Sequence, residues 1–199
     1  MQTKYSYWLF KNVLSEKDRN KIKRTAKKVG YKKATIMSFE DNIVKEQDSK
    51  VRNTDVSFSS DQFLYDTLCP FVVSANESAG WKYDLDWFEP VQIAKYKKNQ
   101  HYSWHTDGQC DHFAAYPEGD NIKGKIRKIS LVACLSNGYV GGDLELALQK
   151  QEEENEILYP EMNVGDVIVF PSYVYHRSTS ITKGIKYSAS MWCLGSPFK

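Results

Sequence analysis

The chain of 199 residues contains 41% hydrophobic and 26% charged residues, a balance that suits one globular domain. Aromatic residues make up 14% of it, against only 11 glycines and 6 prolines, which excludes a disordered or collagen-like protein. The 4 cysteines form no closely spaced pair, so neither a disulfide framework nor a cysteine zinc site is predicted. Without a secretory leader or an apolar run of about 20 residues, the chain is expected to be soluble and cytoplasmic.

The positive charge is concentrated near the amino terminus. Residues 1–50 contain 13 Lys/Arg and 6 Asp/Glu, whereas the remainder is net negative and the whole chain is only +2. The lysine-rich run from Lys17 to Lys28 contains no aromatic residue that could stack on a base. We interpret it as the solvated face of a helix, with polyanion binding as the alternative.

Helices are predicted in the first 80 residues. Ser15-Glu16-Lys17-Asp18 has the form of a capping box, and Gly30 is a suitable stop. Between them an apolar stripe recurs at i, i+4 and i+7: Ile22, Ala26 and Val29. A second helix is expected over 61–68, and Pro70 at a first-turn position predicts a third that reaches Ala79.

After Trp81 the pattern changes to short strand-like runs separated by turns. The predicted strands are 83–87, 91–96, 102–105, 129–135, 144–148, 167–170, 173–176 and 186–193. Alternating leucines at 144, 146 and 148 predict a half-exposed strand. Eight strands favour a jelly roll. We therefore expect a mainly β domain over 1–199, with a helical support region at 1–80 and a jelly-roll catalytic core at 81–199.

His105-Thr106-Asp107 is the sharpest local pattern, because residues i and i+2 of a strand share a face. His176, at the end of another predicted strand, is the best remaining imidazole. Two histidines and one carboxylate leave coordination positions open, as in non-haem Fe(II) oxygenases. A His-x-Asp tripeptide alone also arises by chance, so it does not establish a metal site.

Lys186 follows His176 by ten residues, after a turn at Thr182-Lys183-Gly184. Strand alternation gives one face to four residues: Lys186, Ser188, Ser190 and Trp192. An ammonium with a hydroxyl two residues on suits the distal carboxylate of a dicarboxylic ligand, through a bond of about 1.5–3 kcal/mol. The alternative is a lysine on the surface.

Several motifs together resemble, in order and spacing, the Fe(II)/2-oxoglutarate-dependent oxygenases of the prolyl 4-hydroxylase type, including bacterial and phage-encoded members. They are Gln92-Ile-Ala-Lys-Tyr96, His105-Thr-Asp107, Arg127-Lys-Ile-Ser-Leu131, Gly141-Gly-Asp-Leu144, Gly165-Asp-Val-Ile-Val-Phe-Pro171, and His176 with Lys186 and Ser188. The resemblance implies a double-stranded β-helix, the cupin-like jelly roll, flanked by amino-terminal helices.

The resemblance also implies roles for individual residues. The iron ligands would be His105, Asp107 and His176, and the residues around 2-oxoglutarate would be Lys186 on its far carboxylate, Ser188, Tyr96 and Trp192. The implied reaction uses Fe(II), O₂ and 2-oxoglutarate, with ascorbate as an optional reductant. It yields succinate, CO₂ and a hydroxylated product. The expected location is the cytoplasm, which is the host's for a phage-encoded member.

The long connection after Asp107 is expected to cover a substrate, with Tyr116 as a contact, whereas neither His112 nor Cys110 is expected to take part in the chemistry. A peptide or protein is the expected partner and peptidyl proline the first candidate substrate. A small molecule is the alternative, and neither nucleic acid nor a membrane is expected. Oligomeric state is not predicted. Two other functions stay open: a zinc-dependent hydrolase on the same ligands, although it lacks a His-Glu-x-x-His partner, and a non-catalytic jelly-roll binding module.

Overall fold

Strands dominate the computed structural model, which describes residues 5–37, 44–45, 48–108, 115–116, 118–148 and 156–198. The helices are α1 (Glu16–Val29) and α2 (Gln62–Ser78). The strands are β1 (Trp8–Phe10), β2 (Lys32–Lys33), β3 (Ile36–Met37), β4 (Val44–Lys45), β5 (Arg52–Asn53), β6 (Asp55–Ser59), β7 (Trp87–Phe88), β8 (Val91–Tyr96), β9 (His101–His105), β10 (Ile126–Cys134), β11 (Val140–Gly141), β12 (Leu144–Leu148), β13 (Glu156–Leu158), β14 (Val167–Pro171), β15 (Tyr175–Ser178), β16 (Ile181–Lys183) and β17 (Lys186–Gly195). Neither described helix is long and apolar enough to cross a membrane.

Two antiparallel sheets form the jelly roll, as predicted. The larger has eight strands, in the order β1-β14-β10-β17-β8-β6-β2 with β7 added beside β17. The smaller has five, in the order β13-β12-β15-β9-β5. Small two-stranded ladders, β11 with β16 and β3 with β4, complete the pairing of the described strands.

The largest apolar core lies between the two helices and the large sheet. Ile22 of α1 and Leu64 of α2 are buried in one cluster with strand residues such as Ile93 and Leu131. A second cluster, which includes Leu146 and Phe170, joins strands of both sheets. Burying each such side chain contributes about 1.5–3 kcal/mol, so the helices hold the large sheet in place.

Helix α1 begins and ends where the sequence predicts. Ser15 is its N-cap, and the Ser15 hydroxyl accepts a hydrogen bond of 3.1 Å from the Asp18 N–H. Gly30 closes the helix with φ of 97°, a value that glycine adopts without strain.

The prediction of two separate helices over 61–68 and 70–79 is wrong, because α2 runs continuously through Pro70. Proline removes one backbone N–H, and here the ring lies on the exposed side of the helix, where water can solvate the carbonyl that loses its donor. The buried side chains Leu64, Leu68 and Val72 continue along the opposite side. Packing on the sheet therefore outweighs the local signal to stop.

The predicted strand over 83–87 is also wrong, since only its last residue belongs to a strand, β7. The buried Asn76 side chain accepts from the Tyr83 N–H at 2.9 Å and donates to the Tyr83 carbonyl at 3.0 Å. Those groups are therefore taken by a helix side chain and not by a neighbouring strand.

The other predicted strands form, with shifted ends in several cases. The run predicted over 173–176 begins later, at Tyr175, because a turn closes first with a bond from the Val174 N–H to the Pro171 carbonyl. Strand β12 is not half-exposed, because Glu145 is buried in an ion pair with Arg177 at 2.7 Å.

The description of residues 1–80 as a helical support is incomplete. Strand β1 pairs with β14, β6 pairs with β8, and β5 pairs with β9, so this region adds strands to both sheets. These strands have two to five residues, too few to give a clear period in the sequence.

We expect Asn76→Ala to lower the free energy of unfolding by about 1–3 kcal/mol, because two buried backbone groups of Tyr83 lose their partner. Denaturant unfolding of the purified protein measures this loss. The matched control is Asn20→Ala on exposed α1, which should change stability by less than about 0.5 kcal/mol. Equal losses in both variants would contradict this role of Asn76.

Candidate active site

Strand pairing brings the predicted metal ligands together. His105 on β9 lies directly opposite His176 on β15 in the antiparallel register. Asp107 follows β9 and is fixed by a 2.9 Å bond from its N–H to the Ser172 carbonyl. The Asp107 carboxylate oxygens lie 3.7 Å from His105 Nε2 and 3.4 Å from His176 Nε2. All three candidate ligand atoms lie within 4.8 Å of one another, a spacing that suits a single ion.

Both imidazoles are oriented by backbone carbonyls. His105 Nδ1 lies 2.8 Å from the Ser103 carbonyl, and His176 Nδ1 lies 2.9 Å from the Val174 carbonyl. Because a carbonyl oxygen only accepts, each Nδ1 donates this hydrogen bond, which orients the ring so that its Nε2 is directed toward Asp107. Burial, reinforced by His176, lowers the pKa of His105 to about 3, so its imidazole is neutral at physiological pH.

Asp107 is held in its ionised form. Burial alone would raise its pKa, but His176, His105 and Arg127 outweigh that effect and lower the pKa to about 2. The Trp192 indole N–H adds to the lowering, although it forms no hydrogen bond of normal geometry with a described residue. Two imidazole nitrogens and an anionic oxygen on one side of an ion suit Fe(II) or Zn(II) and leave other positions open.

Lys186 is a buried cation that forms no ion pair with a described residue. It is 7% exposed, and its ammonium donates to the Gly142 carbonyl at 2.5 Å and to the Ser178 hydroxyl at 3.2 Å. Within the described part of the chain no carboxylate forms an ion pair with it. Burial lowers its pKa to about 8, against the smaller opposing effects of Cys134 and Asp143. A buried charge of this kind is stabilised by an anionic ligand.

One narrow cavity of about 50 Å³ connects Lys186 with the metal-ligand candidates. Every site residue predicted from the sequence lines it: Tyr96, His105, Asp107, His176, Lys186, Ser188 and Trp192. Ser190 lines it as well, which confirms the predicted common face of β17. Tyr96 lies opposite Lys186 in the β8–β17 register, with the Lys186 ammonium 5.5 Å from its ring centroid. Burial raises the pKa of Tyr96, so the phenol keeps its proton.

A polar network that the sequence did not predict lies on the Trp192 side. The Arg127 guanidinium lies 4.1 Å from the Trp192 ring centroid and donates from Nε to Glu89 at 3.0 Å. Tyr116, predicted to contact substrate, donates to the same Glu89 carboxylate at 2.9 Å. Glu89 has no sequence signal of its own, because its partners are 27 and 38 residues away along the chain.

A second unpredicted group surrounds His105. Tyr102 stacks on the His105 ring with centroids 3.5 Å apart. The Arg52 guanidinium lies over the Tyr102 ring, 4.4 Å from its centroid. Arg52 also donates to the Gln92 side chain at 2.8 Å. Its strand, β5, has only two residues, so periodicity could not reveal it.

Among the described residues, no further histidine, cysteine or carboxylate joins the three candidate ligands. His101 on β9 contacts the Lys50 carbonyl at 3.1 Å in an exposed hydrogen bond. His112 and Cys110 lie outside the described residues.

Comparison with known proteins identifies the family. The family model of the 2OG-Fe(II) oxygenase superfamily matches residues 91–194, just over half of the chain. Among curated proteins, a PKHD-type hydroxylase of Xylella fastidiosa (strain M12) is 30% identical over 106 residues, which cover 52% of this chain and 43% of the relative. A PKHD-type hydroxylase of Thermosynechococcus vestitus is 29% identical, over 52% of this chain and 42% of the relative. The matched region is therefore less than half of these relatives' length.

Solved structures share the fold over nearly the whole chain. The viral collagen prolyl hydroxylase of Paramecium Bursaria Chlorella virus-1, in its 2OG complex, has a TM-score of 0.63 at 19% identity, covering 96% of this chain and 97% of that one. A Pseudomonas putida prolyl-4-hydroxylase has a TM-score of 0.64 at 15% identity, covering 95% and 92%. A Trichoplax adhaerens prolyl hydroxylase, in complex with a hypoxia inducible factor peptide fragment, reaches 0.67 at 13% identity, covering 94% and 83%. With the matching family model, this common fold and the assembled cavity lead to one conclusion: the chain belongs to the 2OG-Fe(II) oxygenase superfamily.

Proposed function

We propose that this chain is an Fe(II)- and 2-oxoglutarate-dependent dioxygenase that hydroxylates a peptide substrate, with peptidyl proline as the first candidate. The observation that carries the proposal is one cavity that joins three candidate metal ligands to a buried, unpaired ammonium. The products would be succinate, CO₂ and the hydroxylated substrate. The whole of residues 1–199 would act as one catalytic domain.

The metal would be held by His105, Asp107 and His176. Their donor set fits Fe(II), because both Nε2 lone pairs and an ionised carboxylate converge while other coordination positions stay open. Bound Fe(II) would supply the activation of O₂. Ascorbate would serve as a reductant that keeps the metal ferrous. The carbonyls of Ser103 and Val174 keep both rings aligned toward that ion.

The co-substrate would extend from the metal to Lys186. The Lys186 ammonium would bind the distal carboxylate of 2-oxoglutarate, with the Ser188 hydroxyl beside it, and the Tyr96 phenol would donate a further hydrogen bond. Each of these side chains is buried in the same cavity, so bulk water competes weakly for the carboxylate. Trp192 would close the side of the cavity near Asp107.

A peptide substrate is supported by the neighbouring structures and by the cavity rim. One structural neighbour contains a peptide fragment, and two others are named prolyl hydroxylases. Tyr102 and Trp192 both line the cavity next to the candidate metal ligands, and aromatic side chains of this kind suit a peptide with a cyclic side chain. A cytoplasmic location is part of the proposal: the described cysteines are free, as expected in a reducing compartment.

The direct test is a screen of proline-containing peptides and small metabolites, scored by succinate release and by mass spectrometry for the gain of one oxygen. We expect Asp107→Ala to abolish Fe(II)-dependent turnover while the protein stays folded, since the ion loses its only anionic ligand among the described residues. Asp120→Ala, an exposed carboxylate, is the control and should retain activity. Full turnover by Asp107→Ala would contradict the proposal, and zinc-dependent hydrolysis without succinate would favour the hydrolase instead.

We expect 2-oxoglutarate affinity to fall as pH rises through about 8. The pKa of Lys186 is lowered to about 8 by burial, so the ammonium is present below that pH and is progressively lost above it. Calorimetric titration of the protein with 2-oxoglutarate and Mn(II) between about pH 6.5 and 9.5 measures the change, at most tenfold per pH unit. Lys186→Arg keeps a charged group and should flatten the profile. A wild-type affinity that is unchanged across this range would place the carboxylate elsewhere.

We expect 2-oxoglutarate binding to depend on Gly142, because the absence of a side chain there leaves room for the Lys186 side chain. At Gly142 (φ +70°) an added Cβ would meet Ile181 Cδ1 and lie 3.1 Å from Lys186 Cδ, whereas at Gly138 (φ +74°) it would meet nothing within 4 Å. Both alanine variants carry similar backbone strain, about 1–2 kcal/mol. Only Gly142→Ala should raise the dissociation constant of 2-oxoglutarate, about tenfold or more, by displacing the ammonium. Equal effects of the two variants in the same titration would refute this role.

A further inference from the structure

A groove next to the active-site cavity carries positive charge that the proposed reaction does not use. We call it the edge groove and define it by Val29, Lys32, Lys33, Arg52, Phe58 and Gln92. It has a volume of about 390 Å³ and runs between the end of α1 and the margin of the large sheet. Gln92 also lines the cavity that contains His105, Asp107 and His176. The edge groove and the active-site cavity are therefore neighbours that share the Gln92 side chain.

Two of the three cations of the edge groove, Lys32 and Arg52, form no ion pair with a described residue. Lys32 is exposed and forms no ion pair with a described residue. Asp55, behind the groove, is already shared by Lys33 at 2.9 Å and Lys97 at 3.0 Å. Arg52 has a buried Nε with no hydrogen-bond partner among the described residues. An unpaired buried donor costs free energy, and an anionic or carbonyl oxygen would relieve that cost.

The backbone along the edge groove is open as well. Strand β2 pairs with β6 only at Asp55 and Val56, whereas β6 continues to Ser59. The Ala34 N–H donates to the Thr54 carbonyl. Backbone groups alternate along an antiparallel strand, so the N–H and C=O groups of Val56 and Phe58 lie on the same side as those of Thr54. The N–H and C=O of Phe58 therefore face the groove beyond the end of β2, where an extended chain can pair with them.

Phe58 and Val29 supply the apolar part of the edge groove. Phe58 is 49% exposed and Val29 is 57% exposed, which is high for side chains of this size. The edge groove therefore combines an open strand edge, an apolar surface and two cations, Lys32 and Arg52, that form no ion pair with a described residue. This combination suits an extended acidic peptide better than a nucleic acid, because Phe58 is the only described aromatic ring among the groove residues and no stacking platform of several rings is present.

We propose that the edge groove binds an acidic, extended segment of the substrate polypeptide that flanks the hydroxylated residue. This inference rests on the proposed function, because it assigns the substrate class of that same site. The segment would pair with the open edge of β6 at Phe58, and its carboxylates would contact Lys32 and the Arg52 guanidinium. The enzyme would then select substrates by charge outside the catalytic cavity.

The test compares two labelled proline peptides that differ only in flanking residues, three glutamates in one and three glutamines in the other. Fluorescence anisotropy with the metal-free full chain measures binding without requiring turnover. We expect the acidic peptide to bind about tenfold more tightly at low salt and Lys32→Glu to remove most of that preference. A lysine-flanked peptide should bind Lys32→Glu better than it binds the wild type.

Lys17→Glu is the matched control, since it makes the same charge change on exposed α1, about 18 Å of helix away from Val29 of the edge groove. Lys17→Glu should keep at least half of the wild type's preference for the acidic over the neutral peptide. Two further peptides carry N-methyl groups on every second amide, one on the odd and one on the even positions. Only one of the two should lose affinity, because strand pairing uses alternate amides. Equal binding of acidic and neutral peptides, equal effects of both variants, or tighter Lys32-dependent binding of a single-stranded oligonucleotide would overturn the inference.

Turnover assays separate this inference from the function on which it rests. Hydroxylation of acidic and neutral peptides with the same kcat/KM would support the hydroxylase and overturn the edge groove as its selector. Selective, Lys32-dependent binding with no oxygen incorporated into any peptide would support the groove as a peptide site and contradict the hydroxylase.

Discussion

The pairing of His105 with His176 across two antiparallel strands is the constraint on which the candidate site depends. It brings together residues 71 positions apart in the sequence and leaves only the Asp107 backbone to be fixed, which the Ser172 carbonyl does at 2.9 Å. A shift of one residue in this register would turn one imidazole to the opposite face of the sheet. The pairing of β15 with β12 and of β9 with β5 therefore helps to hold this register and, with it, the positions of the ligands.

The second requirement is a buried cation that the protein itself leaves unpaired. Lys186 is stabilised by two neutral oxygens, those of Gly142 and Ser178, and by no described carboxylate. Burying an ammonium in this way lowers the stability of the fold, and a dicarboxylic ligand would offset that loss when it binds. Arg52, whose buried Nε has no hydrogen-bond partner among the described residues, shows the same property next to Tyr102. Unsatisfied charge thus marks both ends of the proposed site.

Local patterns in the sequence predicted the jelly roll, the start of α1, the pairing of His105 with Asp107 and the common face of β17, because caps, strand alternation and the His-x-Asp spacing act over a few residues. Tyr96 was predicted from the family resemblance alone. The predictions from local patterns failed where contacts between residues far apart in the sequence determine the local structure. Asn76 takes the backbone groups of Tyr83 and prevents a strand, and packing carries α2 through Pro70. Glu89 joins the site through partners 27 and 38 residues away, so no local pattern could indicate it. Arg127 begins one of the motifs of the resemblance, but its contacts with Glu89 and Trp192 depend on the fold and were not predicted.

Anaerobic titration of the Fe(II)-loaded protein with 2-oxoglutarate tests the central claim most directly, because one spectrum reports both the metal and the co-substrate. The account predicts a weak visible charge-transfer band that saturates with 2-oxoglutarate and requires His105, Asp107 and His176. Fe(II) binding with no band at saturating 2-oxoglutarate, or a band that persists after Asp107→Ala, would contradict it.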